Sequence, residues 1–124
     1  MERSRRLWME VGVWLAFQVF LTSIPGDSLP DEITPSDWLA HSGVYAMLGA
    51  LVARAGHVLG WRWRRLAAAY LVIVAFGALD ELHQQLIPGR EAALEDWIAD
   101  TVGAFTGMLG GYLIMRTRLA RWLA

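Results

Sequence analysis

At 124 residues the chain has room for one domain. Hydrophobic residues make up 56% of it, above the share of an ordinary soluble domain, and a net charge of −1 offers no bulk attraction for nucleic acid. The absence of cysteine excludes disulfides, thiolate metal sites and a cysteine nucleophile.

The first apolar stretch runs from Leu7 to Ile24. It is long and lacks a small-residue cleavage site, so it reads as a span rather than a removable signal peptide. A breaker-rich segment, "IPGDSLPDEITPSD", separates it from the second stretch, Trp38 to Val52. "RAGHVLGWRWRR" then leads to the third, Leu66 to Leu82, and "IPGREAALED" to the fourth, Trp97 to Met115. Each approaches the ~20 residues a helix needs to cross ~30 Å of hydrocarbon. The pattern predicts an all-α membrane protein, a small bundle of four transmembrane helices. A soluble bundle would need a polar stripe on each helix, and "LAAAYLVIVAFGAL" has none. No internal repeat stands out.

The charges orient the bundle. All eleven basic residues are Arg, and in a four-span arrangement ten of them fall on one side. These are Arg3, Arg5 and Arg6, then Arg54, Arg62, Arg64 and Arg65, then Arg116, Arg118 and Arg121; Arg90 alone falls on the other. The positive-inside rule therefore predicts that both termini are cytoplasmic. Trp8, Trp38, Trp61, Trp63, Trp97 and Trp122 all sit near predicted interfaces, as an aromatic belt does. On the fourth helix Ala99, Gly103, Gly107 and Gly111 recur every four residues, a stripe that lets another backbone approach closely. The partner is either a neighbouring helix or a second copy of the chain.

Polar residues gather at the outer ends with helical spacing. Asp37, His41 and Tyr45 share one face of the second helix, Asp80 and Gln84 one face of the third with Glu81 beside them, and Asp96 and Asp100 one face of the fourth. Ionisable groups are expensive in a bilayer and normally face a bundle interior or a watery cavity. A polar pocket open to the outer side is the expected arrangement. Asp37 and Asp96 adjoin helix starts and also suit capping. His41 and Asp100 lie a turn inside, where capping does not account for them. Pro88-Gly89 reads as a turn. Arg90 reads either as a salt-bridge partner for the nearby acids or as a two-pronged clamp for phosphate or carboxylate.

"DWLAHSGVYAMLG" and "DELHQQLIPGREAALEDWIADTVGAFTG" resemble the signature stretches of the VanZ-like integral membrane proteins. The family pattern resembles D-K-x-x-H-x-x-x-Y, then D-E-x-x-Q-x-x-x-P-x-R, then D-x-x-x-N-x-x-G. Asp37, His41 and Tyr45 match the first; Asp80, Glu81, Gln84, Pro88 and Arg90 the second; Asp96 and Gly103 the third. The resemblance runs from about residue 20 to residue 115. Trp38 stands where Lys is usual, Ala93 where a small hydroxyl residue is frequent, and Asp100 where Asn is usual. The resemblance implies a multi-pass protein of the bacterial cytoplasmic membrane. It also implies a link to teicoplanin resistance, but brings no established biochemical activity.

Three functions fit these parts. In the first, an enzyme acts on a lipid-linked envelope precursor, with Asp37, His41, Asp80 and Glu81 as catalytic groups. Tyr45, Gln84 and Arg90 would then hold substrate, and Asp80, Glu81, Asp96 and Asp100 would offer oxygen ligands to Mg²⁺ or Mn²⁺. In the second, the same groups form a satisfied network in a non-catalytic module that binds a lipid or a partner. In the third, the acids titrate with a moving head group or proton in a small flippase or transporter.

Overall fold

The computed structural model describes residues 1–28, 38–117 and 120–123. Four long helices dominate it: α1 (Glu2–Thr22), α2 (Trp38–Val58), α3 (Trp63–Gln84) and α4 (Leu94–Met115). A single 3₁₀ turn (Gly26–Ser28) follows α1, and a short α5 (Ala120–Leu123) follows α4. The described residues contain no strand.

The helices outrun the apolar stretches that announce them. α1 starts at Glu2 rather than Leu7, because Arg3, Arg5 and Arg6 are good helix formers and extending a helix costs little once it is nucleated. α2 continues past Val52 to Val58, where Gly60 ends it at φ 68°. There the Trp61 N–H donates to Gly56 O (2.7 Å) and the Gly60 N–H to His57 O (3.0 Å), the crossed pair that closes a helix through a left-handed glycine. α4 opens with Glu95 and Asp96 in its first turn, where acids complement the positive dipole end.

Cross-helix bonds give the directions. The Trp14 indole N–H donates to Val44 O (3.0 Å) and Arg54 pairs with Glu10, so α1 and α2 run antiparallel. Tyr70 donates to Thr101 O and Trp97 to Val74 O, both at 3.1 Å, so α3 and α4 are antiparallel too. The bundle thus has an acidic end, holding Thr22, His41, Asp80 and Asp96, and an arginine end, holding Arg54 and Arg62.

The closest helix pair is α2 and α4, and they lie parallel. A Cβ added at Gly103 would run into the Ser42 backbone, one at Gly107 into Ala46, and one at Gly111 would come 3.1 Å from Ala50. Gly49 meets Ala104 in return. The small-residue stripe of α4 is therefore occupied by α2 of the same chain, which answers the question its spacing raises. Outward, the helices present Phe17, Phe20, Leu71, Leu79, Val102, Phe105 and Leu113. A water-facing bundle would carry polar residues there. α3 and α4, at 22 residues each, are long and apolar enough to cross a membrane.

Gly107→Leu should abolish the folded bundle, because backbone rather than a flexible side chain occupies the space. Gly110→Ala, where a Cβ meets nothing, should be neutral or slightly stabilising. Fluorescence-detected size exclusion and thermal melts in mild detergent would check both.

Candidate functional site

The register of α2 against α4 decides the site. With Ser42 held against Gly103, His41 falls opposite the first turns of α4, within reach of both Asp96 and Asp100. Its Nδ1 lies 3.0 Å from Asp100 Oδ1 and 3.8 Å from Glu81 Oε1, and its Nε2 lies 3.9 Å from Asp96 Oδ2. The imidazole is thus flanked by three carboxylates, two on one nitrogen and one on the other. Asp96 and Asp100 are each only 1% exposed. Glu81 also reaches α4, where its Oε2 accepts the Ala93 N–H (3.3 Å) as that helix begins.

Asp80 faces a different neighbourhood. Its Oδ1 accepts the Thr22 hydroxyl (2.9 Å) and its Oδ2 the Tyr45 hydroxyl (3.2 Å). One carboxylate therefore ties α1, α2 and α3 together. Tyr45 is buried, and its ring lies 6.4 Å from that of Phe76 between centroids. Gln84, one turn beyond Asp80, is fully buried, and neither amide atom has a hydrogen-bond partner. Gln18, one turn before Thr22, is in the same condition at 1% exposure. Buried amides without a partner among the described residues are unfavourable by themselves.

The site residues expected from the sequence converge with one qualification. His41, Tyr45, Asp80, Glu81, Gln84, Asp96 and Asp100 meet at the acidic end, while Asp37 lies outside the described residues. The carboxylate that the structure sets against His41 Nδ1 is Asp100. Gln18 and Thr22 were not legible as site residues, although their spacing of four within an apolar span was the available signal.

Arg90 meets the end of α1. Its Nε donates to Ile24 O (3.0 Å), just past α1, and its Nη2 to Leu21 O (3.1 Å) in the last turn, so the guanidinium caps the end of α1 and the residues leaving it. Burial lowers its pKa and the charge of Asp80 opposes that shift. The loop carrying it is a turn through Pro88 and Gly89, with Gly89 at φ 73° and the Arg90 N–H returning to Ile87 O (3.1 Å). Pro88 O accepts the Gly26 N–H (2.9 Å), and a Cβ on Gly26 would collide with Gly89. The tripeptide Ile-Pro-Gly occurs at 24–26 and again at 87–89. The two copies dock on each other and form the rim of the acidic end.

A family model described as VanZ/LLP1 matches residues 7–116, which takes in all four helices and every residue of this cluster. The chain belongs to that family. Searches of curated proteins and of solved structures returned no match. Within this VanZ-like chain the signature residues are therefore a spatial unit: the first and third motifs meet at His41, and the second supplies Asp80, Glu81 and the Arg90 cap.

Arg90→Lys keeps the charge but cannot reproduce the two-pronged contact with Leu21 O and Ile24 O, and should cost about 1–2 kcal/mol. Gly26→Val should lower stability as well, by forcing the two Ile-Pro-Gly turns apart. Arg116→Lys should leave the melting curve nearly unchanged, since Arg116 is exposed and among the described residues its side chain meets Tyr112 on its own helix surface, by a hydrogen bond to the hydroxyl and by stacking on the ring. Thermal melts of the three variants in one detergent make the comparison.

Proposed function

We propose that this VanZ-like chain is a multi-pass protein of the bacterial cytoplasmic membrane. All four helices cross it, both termini are cytoplasmic, and the polar pocket opens to the outer side to receive the head group of an envelope lipid. The arginine distribution supports the orientation, since ten of eleven Arg belong to the end opposite the pocket or to the termini. Trp8 and Trp61, 5.6 Å apart between ring centroids, suit an interface at that arginine end.

The observation that carries the lipid reading is an apolar groove whose lining includes Phe76, the ring that packs beside Tyr45 of the polar cluster. A cavity of about 580 Å³ lies between α1, α2 and α3, lined by residues including Trp8, Val11, Leu15, Val52, Ile73 and Phe76. Its size is typical of small-ligand sites, and Arg65 is its single charged lining residue. Phe76 leans on Tyr45, and the Tyr45 hydroxyl binds Asp80. A hydrocarbon chain in the groove would thus place its polar end beside Gln18, Gln84 and the acids. His41, oriented by Asp100, is the group suited to exchange a proton with such a head group.

A second reading, a non-catalytic module, draws on two residues that hold helices together. Asp80 links three helices through hydroxyls, and Arg90 caps α1. The two readings share the bound lipid and differ over whether His41 is needed once the lipid is seated.

The orientation predicts that single cysteines at Ser4 or Gly60 resist an impermeant thiol reagent in intact cells, while one at Glu91 is labelled. Labelling at Ser4 or Gly60 would overturn it. For the ligand, the protein is purified in mild detergent and its lipids identified by mass spectrometry. One lipid class should be enriched over the bulk membrane, and Ala69→Trp, which fills the groove from its α3 wall, should release it without unfolding the bundle. A co-purifying lipid profile equal to the bulk membrane in both proteins would sink the reading.

A further inference from the structure

We infer that His41, Glu81 and Asp100 form a binding site for one divalent first-row transition ion such as Zn²⁺ or Mn²⁺. Three carboxylates, those of Glu81, Asp96 and Asp100, are buried around a single imidazole. Asp80 is satisfied by two hydroxyls, whereas Glu81 Oε1 and Asp100 Oδ2 are buried and accept no hydrogen bond. The His41 contact to Asp100 and the Ala93 N–H to Glu81 offset only part of the cost of burying these carboxylates, and a cation between the remaining oxygens would offset more of it. Arg90 does not supply that charge to this trio, because its hydrogen bonds go to the Leu21 and Ile24 carbonyls.

The geometry is that of a ligand set. One ligand atom from each of the three residues can be chosen so that all lie within 4.8 Å of one another. Nδ1 to Asp100 Oδ1 is 3.0 Å and Nδ1 to Glu81 Oε1 is 3.8 Å. Ligands held about 2.1 Å from a common ion are themselves about 3.0–3.4 Å apart, so a small inward shift of Glu81 completes the set. The opposite nitrogen is consistent with this. When one ring nitrogen binds a metal, the other N–H is characteristically directed at a carboxylate. Here Nε2 faces Asp96 Oδ2 at 3.9 Å. That separation is too long for a hydrogen bond, and closing it by about 1 Å would make Asp96 a positioning residue for the imidazole rather than a ligand.

A donor set of one imidazole nitrogen and two carboxylates favours a borderline ion over Mg²⁺ or Ca²⁺, which take oxygen. Three protein ligands leave at least one coordination position open. That position gives an otherwise acidic pocket an attachment point for an anionic or hydroxyl-bearing head group. This last link rests on the lipid reading; the ion does not.

The test is made on untagged full-length protein purified in mild detergent, exchanged against Zn²⁺ or Mn²⁺ and then washed. Elemental analysis should find about one ion per chain. His41→Ala, Glu81→Gln and Asp100→Asn should each lose it, Asp80→Asn should retain it, and Asp96→Asn should bind about 10- to 100-fold more weakly. Should the ligand variants fail to fold, Co²⁺ added to the unaltered protein should give visible absorption bands that Zn²⁺ abolishes. Unaltered protein that holds no ion and gives no Co²⁺ spectrum would overturn the proposal, as would ligand variants that fold and retain the ion. Lipid is measured separately in the same preparations, so loss of metal with lipid retained leaves the lipid reading standing.

Discussion

The parallel contact between α2 and α4 is the constraint from which the rest of the structure follows. Parallel neighbours are unusual in a short up-and-down bundle, because chain-adjacent helices alternate direction. They are attained here only because Gly103, Gly107 and Gly111 let the α2 backbone approach without side chains between. Within a membrane, where burying apolar surface from lipid brings little gain, such close packing is a main source of helix association. The contact also sets register. Each small residue of α4 takes a definite place against Ser42, Ala46 or Ala50, which brings His41 level with Asp96 and Asp100.

α3 and α1 then complete an acidic end that neither central helix could stabilise alone. Asp80 accepts from Thr22 and Tyr45, and Glu81 reaches the start of α4. These bonds make the polar residues part of the packing, so stability and the candidate chemistry are coupled. Changing Asp80 removes three helices' common acceptor, whereas changing His41 or Asp100 alters the cluster more than the frame. The division separates residues that hold the helices together from residues grouped about His41.

The rim has its own logic. Arg90 caps α1 while its loop pairs with Gly26, so the segment between α3 and α4 is fixed to the segment leaving α1. The Ile-Pro-Gly tripeptides at 24–26 and 87–89 are too short to register as a repeat along the chain. Their kinship is spatial: each supplies a tight backbone, and two such backbones can approach where side chains would collide.

The sequence by itself determined what depends on local pattern. Apolar runs bounded by breakers located the four helices, since hydrophobic length and Gly/Pro punctuation act within a few residues. Four-residue spacing gathered His41 with Tyr45, Asp80 with Gln84, and Asp96 with Asp100 onto shared faces, and the same spacing exposed the glycine stripe. Only the tertiary structure decided which faces meet. That α2 rather than a second copy fills the stripe, that Asp100 and not only Asp96 addresses His41, and that Asp80 binds Thr22 are consequences of helix rotation and register across long sequence separations. Arg90 shows the limit most clearly. Its isolation among acids suggested a partner of opposite charge, yet its donors go to backbone carbonyls at the end of α1 and just past it, which carry no signature in sequence because every residue has one.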